Sequence, residues 1–164
     1  MDQTAFRAFY EKTAPRLRAY IARSCGSIDV ADDILQEVFL KFLRTADKTD
    51  ERGMRAYLYR TANSVIVDNW RRHQREIERN LEFPFRRGQA AAHYVDDDLE
   101  TAFVQLNPQQ RSLLWLAYVE QCDHREIAAA VGVKEKSVCV LLFRARKALA
   151  GLLQRSGIGP EVAS

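Results

Sequence analysis

The sequence predicts an all-α fold: two small helical domains joined by a flexible linker. Apolar residues recur at helical rather than alternating spacing, so no sheet is expected. Prolines are sparse, with only Pro15 before Pro84. Helical periodicity fails once, between about residues 80 and 98, where Phe-Pro-Phe-Arg-Arg-Gly and a run of three alanines precede Asp96-Asp97-Asp98. Charge divides the same way: residues 1–75 carry a net +4, residues 76–100 a net −4 and residues 101–164 a net +3. Two basic blocks around an acidic one suggest two nucleic-acid-facing modules joined by a segment that would not itself lie on phosphate. Chance clustering of surface charge is the plainer alternative. Length and composition, 164 residues at 47% hydrophobic, can fill one ordinary domain or two small ones.

The first helix, or pair of helices, spans about residues 3–24, with Phe6, Phe9, Tyr10, Leu17, Tyr20 and Ile21 as its inward stripe. Cys25-Gly26-Ser27-Ile28 breaks it, and Asp29 can cap a second helix over about 30–46. A polar loop, residues 46–53, leads to a long amphipathic helix over 55–79. Its core face is expected to comprise Leu58, Ala62, Val65, Ile66 and either Asn69 or Trp70, with Trp70 favoured for the core over a base-stacking role. After the linker the helical pattern resumes at Leu99 and holds to about Leu153, before a loose tail, Gly157-Ile-Gly-Pro160. The expected domains are therefore residues 1–79 and 99–155, with a linker over 80–98 and a tail over 156–164.

Several classes of function find little support. No stretch approaches the roughly 20 apolar residues of a membrane span, and the first residues lack an apolar run behind a basic flank, so a soluble cytoplasmic protein is expected. Cys25, Cys122 and Cys139 are odd in number and form no CxxC pair, which fits ordinary thiols in a reducing compartment. An enzyme is disfavoured: HExxH, GxxxxGK[ST] and GxSxG are all absent, and His73, His93 and His124 are scattered. Cys122 and His124 are neighbours without further ligands at suitable spacing. No catalytic residue, metal or cofactor is expected.

Residues 124–143, HREIAAAVGVKEKSVCVLLF, have the spacing of a helix-turn-helix. Ala128 falls where the two helices cross, Gly132 in the turn where a positive φ is often required, and Val138 at the apolar anchor of the second helix. Ile127, Val131, Val133, Leu142 and Ala145 complete a small core. A second helix over about 134–150 would enter the major groove N-terminus first, presenting Lys134, Glu135, Lys136 and Ser137 to phosphates or base edges. Arg144, Arg146 and Lys147 could clamp the flanking backbone. A helical hairpin that merely mimics the spacing is the alternative.

The first half holds two further patterns. Over residues 31–42, Asp33, Gln36 and Glu37 share one helical face, and Ile34, Leu35, Val38 and Phe42 largely the other. The acidic face suits a basic protein groove, although a solvated surface is the commoner meaning of such a pattern. In the long helix, Tyr57, Arg60, Ser64, Arg71 and Arg75 form one stripe. Aromatics interleaved with arginines suit single-stranded nucleic acid, because bases stack on rings while cations follow phosphates. Asp68 is expected to pair with Arg72 at i, i+4.

In this order, ADDILQEVFLKFL, RAYLYRTANSVIVDNWRR and REIAAAVGV…SV…FRARKAL resemble the extracytoplasmic-function branch of bacterial sigma factors over nearly the whole chain. The resemblance implies a region 2 bundle and a region 4 helix-turn-helix that together bind core RNA polymerase and direct it to promoters, recognising -10 and -35 elements and helping DNA melt. It implies that Asp32, Asp33, Gln36, Glu37 and Phe39 contact the polymerase clamp helices. The loop over about 45–54 would capture a flipped -10 base. Tyr57, Arg60, Asn63, Ser64, Arg71, Arg72 and Arg75 would serve -10 recognition and melting, with Tyr57 where the family usually has Trp and Ser64 where Asn is common, so that Asn63 and Ser64 compete for the base pocket. Lys134, Glu135, Lys136, Ser137, Cys139, Arg144 and Arg146 would read the -35 element. An anti-sigma partner is also implied, and Tyr-Leu-Tyr-Arg with Val-Asp-Asn-Trp-Arg-Arg leans toward the iron-uptake subgroup.

One stretch departs from the family pattern. Cys139, Val140 and Leu141 stand where members usually place basic and small polar residues, and all three are expected to face away from the core. This face could read thymine methyls, or pack on a partner or on the first domain, or contribute nothing beside Lys134, Lys136, Arg144 and Arg146. The competing function is a stand-alone helix-turn-helix regulator that binds duplex DNA without polymerase.

Overall fold

The structure, a computed structural model, describes residues 2–45, 50–79 and 97–157; among these are seven α-helices and no strand. α1 (Gln3–Cys25) begins at Asp2, whose carboxylate accepts the Ala5 amide, and continues through Pro15. It stops where Gly26 takes a left-handed conformation, φ +73°, and its amide closes on the Ala22 carbonyl. α2 (Ile28–Thr45) starts earlier than expected, so Asp29 lies inside its first turn and Ser27 Oγ accepts the Val30 amide in the capping position. α3 (Glu51–Arg79) is capped by Asp50, which accepts the Gly53 amide.

The three helices pack through Leu17, Tyr20, Ile21, Val38, Leu58 and Ile66. Tyr10, expected to point inward, is partly exposed at the edge of this core, its ring 4.7 Å from Phe39. Burial along α3 ends at Ile66: every later residue is exposed or half-buried. Trp70 is therefore not a core residue: it keeps 39% of its accessible surface.

α4 (Asp97–Gln105), α5 (Pro108–Tyr118), α6 (His124–Val131) and α7 (Glu135–Arg155) form the second half. α5 and α6 each start with a full capping box, Asn107 with Gln110 and Asp123 with Glu126. Gly132 ends α6 at φ +76°, as the turn requires. Ala128, Val138, Leu142 and Ala145 are buried as the helix-turn-helix spacing predicts. A smaller cluster of Leu106, Leu114 and Ala145, flanked by Phe103, Leu149 and Leu152, ties α4 and α5 to the C-terminal part of α7.

The two halves are not separate in space. α6 lies along α3, and α5 packs on both α1 and α3, so that one buried cluster runs from Leu17 through Leu58 to Leu116 and Ile127. At its centre Tyr20 Oη donates to Ser112 Oγ at 2.7 Å, and Ser112 Oγ lies 2.8 Å from both Asn63 Oδ1 and the Pro108 carbonyl. The Arg111 guanidinium is buried beside Cys25 and Gly26, where a cation faces the negative end of α1. Cation–carboxylate pairs line the rim. Arg52 reaches Glu126 at 3.1 Å and Asp123 at 3.5 Å, Arg55 reaches Glu126 at 3.7 Å, Arg16 reaches Glu120 at 3.9 Å, and Arg23 pairs with Glu100. In each pair the cation belongs to the first half and the carboxylate to the second. Part of the basic surplus of residues 1–75 therefore faces protein rather than nucleic acid.

Candidate nucleic-acid interface and docking face

On α2 the helical repeat sets Ala31, Ile34, Leu35, Val38 and Phe42 inward and leaves Asp32, Asp33, Gln36 and Glu37 exposed. Arg18 of α1 holds Asp32 through two contacts, Nε to Oδ1 at 2.6 Å and Nη2 to Oδ2 at 3.2 Å. This hydrogen bonding and the nearby positive charge keep the Asp32 carboxyl below its ordinary range. Glu37 pairs with Lys41 at 2.8 Å one turn on. Asp33 and Gln36 are the least engaged of the four.

Phe39 is buried against Phe6, Tyr10 and Phe42, because its place on the helical wheel is the core side, and it floors a groove beside Asp32 and Gln36. Leu40 and Leu43, which the sequence reading passed over, are exposed at 47% and 54% and rim that groove beside Asp32 and Gln36. The legible signal was their position: they continue the acidic face, not the apolar one.

On α3, Arg60, Ser64, Arg71, Arg72 and Arg75 are exposed, and Tyr57 is half-buried against Phe42. The stripe thus stands opposite the core, as its spacing predicts. Asp68 and Arg72 are both exposed and do not pair with each other among the described residues. Asn63 is buried, its Oδ1 among the Tyr20–Ser112 hydrogen bonds, whereas Ser64 is exposed. The proposed base-capturing loop includes residues 46–49, and the linker residues 80–96; both lie outside the described residues.

Between the halves a cavity of about 370 Å³ is lined by Arg52, Arg55, Tyr59, Cys122, Arg125 and Glu126, among others. Burial raises the pKa of Tyr59, and the neighbouring Glu120 adds to the rise. Burial, then the Glu126 carboxylate, pushes the Cys122 thiol up to about 11, so it is protonated at neutral pH. All three cysteines are free.

On α7, Lys134, Glu135, Lys136, Cys139, Arg144, Arg146 and Lys147 are exposed and Ser137 is half-exposed. Lys134 is the N-cap and makes no side-chain capping bond. Arg146 Nη1 donates to Tyr118 Oη at 2.8 Å, which fixes that guanidinium near the α5 terminus. Val140 is open to solvent, but Leu141 is half-buried against the larger cluster, so the expected three-residue outward face loses its third member. Phe143, unremarked in the sequence, is 58% exposed.

An acidic helix, an arginine-striped helix and a helix-turn-helix thus share one chain in a fixed order. Sigma-70 region 2 matches residues 9–76, and sigma-70 region 4 matches residues 96–149. The chain belongs to the sigma-70 family. Among its relatives are three RNA polymerase sigma factors: SigM of Bacillus subtilis, SigF of Caulobacter vibrioides and CarQ of Myxococcus xanthus. SigM is 26% identical over 80% of this chain and 84% of its own. SigF is 29% identical over 94% and 89%, and CarQ 29% over 92% and 90%. SigM and SigF are extracytoplasmic-function members, which places this sigma factor in that branch. The sigma factor RpoE, solved in complex with the anti-sigma factor NepR from Bartonella quintana, has the same fold: TM-score 0.67 at 19% identity, covering 92% of this chain and 97% of that one. This sigma factor is a transcription initiation factor that binds core RNA polymerase and directs it to promoters. The region 2 match sets aside a regulator that never joins polymerase. No helix among the described residues is long and apolar enough to cross a membrane.

Proposed function

We propose that this sigma factor docks on core polymerase through the outer face of α2, with Asp32, Asp33, Gln36 and Glu37 as its polar contacts and the Leu40–Leu43 groove beside them. The supporting observation is that α2 presents acid and apolar surface together on one exposed face, which suits a basic, partly apolar groove and repels DNA. Region 2 is assigned to residues 1–79 and region 4 to residues 99–155, with a linker over 80–98 and a tail over 156–164. Tyr57, Arg60, Ser64, Arg71, Arg72 and Arg75 then serve the -10 element and the melted strand. The -35 element falls to Lys134, Glu135, Lys136, Ser137, Cys139, Arg144 and Arg146.

In this reading an anti-sigma partner covers the α2 groove; that the structural neighbour RpoE is solved with an anti-sigma factor supports such a partner. A protein that serves polymerase works in the cytoplasm and needs no catalytic residue of its own. The Tyr-Leu-Tyr-Arg and Val-Asp-Asn-Trp-Arg-Arg stretches support a place near the iron-uptake subgroup; a regulon indifferent to iron starvation would remove it.

Titration of core polymerase with the wild type and with an Asp32→Arg, Asp33→Arg double variant tests the docking face. Because the reversal also breaks the Arg18 contact, Gln36→Arg, which breaks no internal bond, is measured beside it. Both variants are expected to bind on the order of a hundredfold more weakly, the effect of placing like charges across an interface. Unchanged affinity in both would remove α2 as the docking face.

A further inference from the structure

We propose that Val140 and Phe143, with Cys139 beside them, read the 5-methyl groups of thymine in the -35 element and so set the specificity of α7. The inference rests on the assignment of α7 to that element.

Val138, Leu142 and Ala145 are buried and fix the roll of α7 about its axis. At about 100° per residue, the line opposite that seam runs through Lys136, Val140, Phe143 and Lys147. All four are exposed, and Val140 and Phe143 retain 50% and 58% of their accessible surface. Two adjacent apolar side chains on an outward helix face have no role in this chain's own core. The C-terminal part of α7 is covered by α4 and α5 through Leu149 and Leu152, but this face is not.

The frame around the apolar pair identifies what covers it. Lys136 and Lys147 close the stripe at its two ends and Arg144 flanks it, with Glu135 as the sole acid of α7. An apolar patch bounded by cations fits a polyanion that carries apolar groups between its charges. Duplex DNA is such a surface: phosphates border the major groove, and thymine alone of the four bases places a methyl group there. Cations of this frame add affinity without regard to sequence, whereas the methyl contacts discriminate. A basic residue at position 140 or 143 would instead select guanine through its O6 and N7 acceptors. The apolar pair gives up that contact and shifts the preference to thymine.

The test uses holoenzyme assembled from the full chain and core polymerase. A promoter fragment is selected from a library randomised over the -35 segment. It is then resynthesised with deoxyuridine for thymidine on that segment, which removes the methyl and nothing else. Wild-type holoenzyme is expected to bind the deoxyuridine fragment about fourfold more weakly for each methyl lost from contact. Val140→Ala and Phe143→Ala, both exposed positions whose folding is checked by thermal melting, are expected to bind with the ratio between the two fragments reduced toward one. Selected segments without thymine would overturn the proposal, as would equal wild-type affinity for both fragments, or variants that keep the wild-type ratio. That last result would also leave the apolar face to a protein partner.

A Lys136→Ala, Arg144→Ala double variant separates this inference from the reading beneath it. If it weakens binding to every fragment and flattens the salt dependence while methyl discrimination is absent, only the methyl inference fails. If neither it nor the apolar variants change -35 binding, α7 is not the reading helix.

Discussion

Gly132 shows how far one residue can be read without a structure. Its place in the helix-turn-helix spacing predicts a left-handed turn, and its φ is +76°. A Cβ there meets no atom within 4 Å, so Gly132→Ala would be opposed by backbone strain alone. The expected loss is about 1–2 kcal/mol, roughly 2–4 °C of melting temperature for each kcal/mol in a chain of this size. Gly132→Asn should cost less, because asparagine tolerates the left-handed region. Thermal denaturation of the two variants checks the order. Asn63 and Phe39 differ in what could be read. Phe39 falls on the core side of the α2 wheel, next to Leu35 and Phe42, so its burial was legible; the burial of Asn63 was not, because a helical wheel does not tell that Ser112 of the second half will cover it. Val140 could be read as outward. Phe143 could have been, five residues beyond the buried Val138 and so on the other side of the helix.

Helices were legible where amphipathicity is strong and less so at their ends. α2 and α3 begin two to four residues earlier than expected, because Ser27 and Asp50 cap them rather than the residues that spacing favours. Trp70 was assigned to the core from its neighbour Ile66, but helical periodicity continues past the last buried residue of α3. The part of α3 beyond Ile66 is about 20 Å long and holds no fully buried residue. Its amides are expected to exchange hydrogen faster than those of residues 58–66, since local opening there breaks no core contact. Exchange measured by mass spectrometry should slow across residues 67–79 when holoenzyme binds a melted promoter. Unchanged exchange would mean that Arg71, Arg72 and Arg75 are not held by the strand.

The way the two halves meet was not legible at all, since a linker permits both closed and parted arrangements and the charge blocks pointed to nucleic acid. In the structure Arg16, Arg23, Arg52 and Arg55 face carboxylates of the other half. The Arg52–Asp123 pair is exposed on both sides and contributes at most about 1 kcal/mol; in the others the carboxylate is half-buried or buried, and salt screens them less. Glu126→Arg sets like charges against Arg52 and Arg55 and removes half of the α6 capping box. The variant is expected to have a larger radius of gyration by solution scattering, and the wild type to expand in the same direction as salt is raised. A radius unchanged in both would mean that the apolar contacts hold the halves without help from the rim.

Tyr20, Ser112 and Asn63 give this seam a property that an oily one would lack. Two hydroxyls and the Asn63 carboxamide oxygen meet one another when the halves meet and would meet water when they part, so these groups have polar partners in both states. The surfaces left bare would also be less adhesive than a wholly apolar pair of faces. A joint that carries such groups among its apolar contacts can be made and unmade with those groups satisfied on both occasions. It has the character of a fastener rather than a weld.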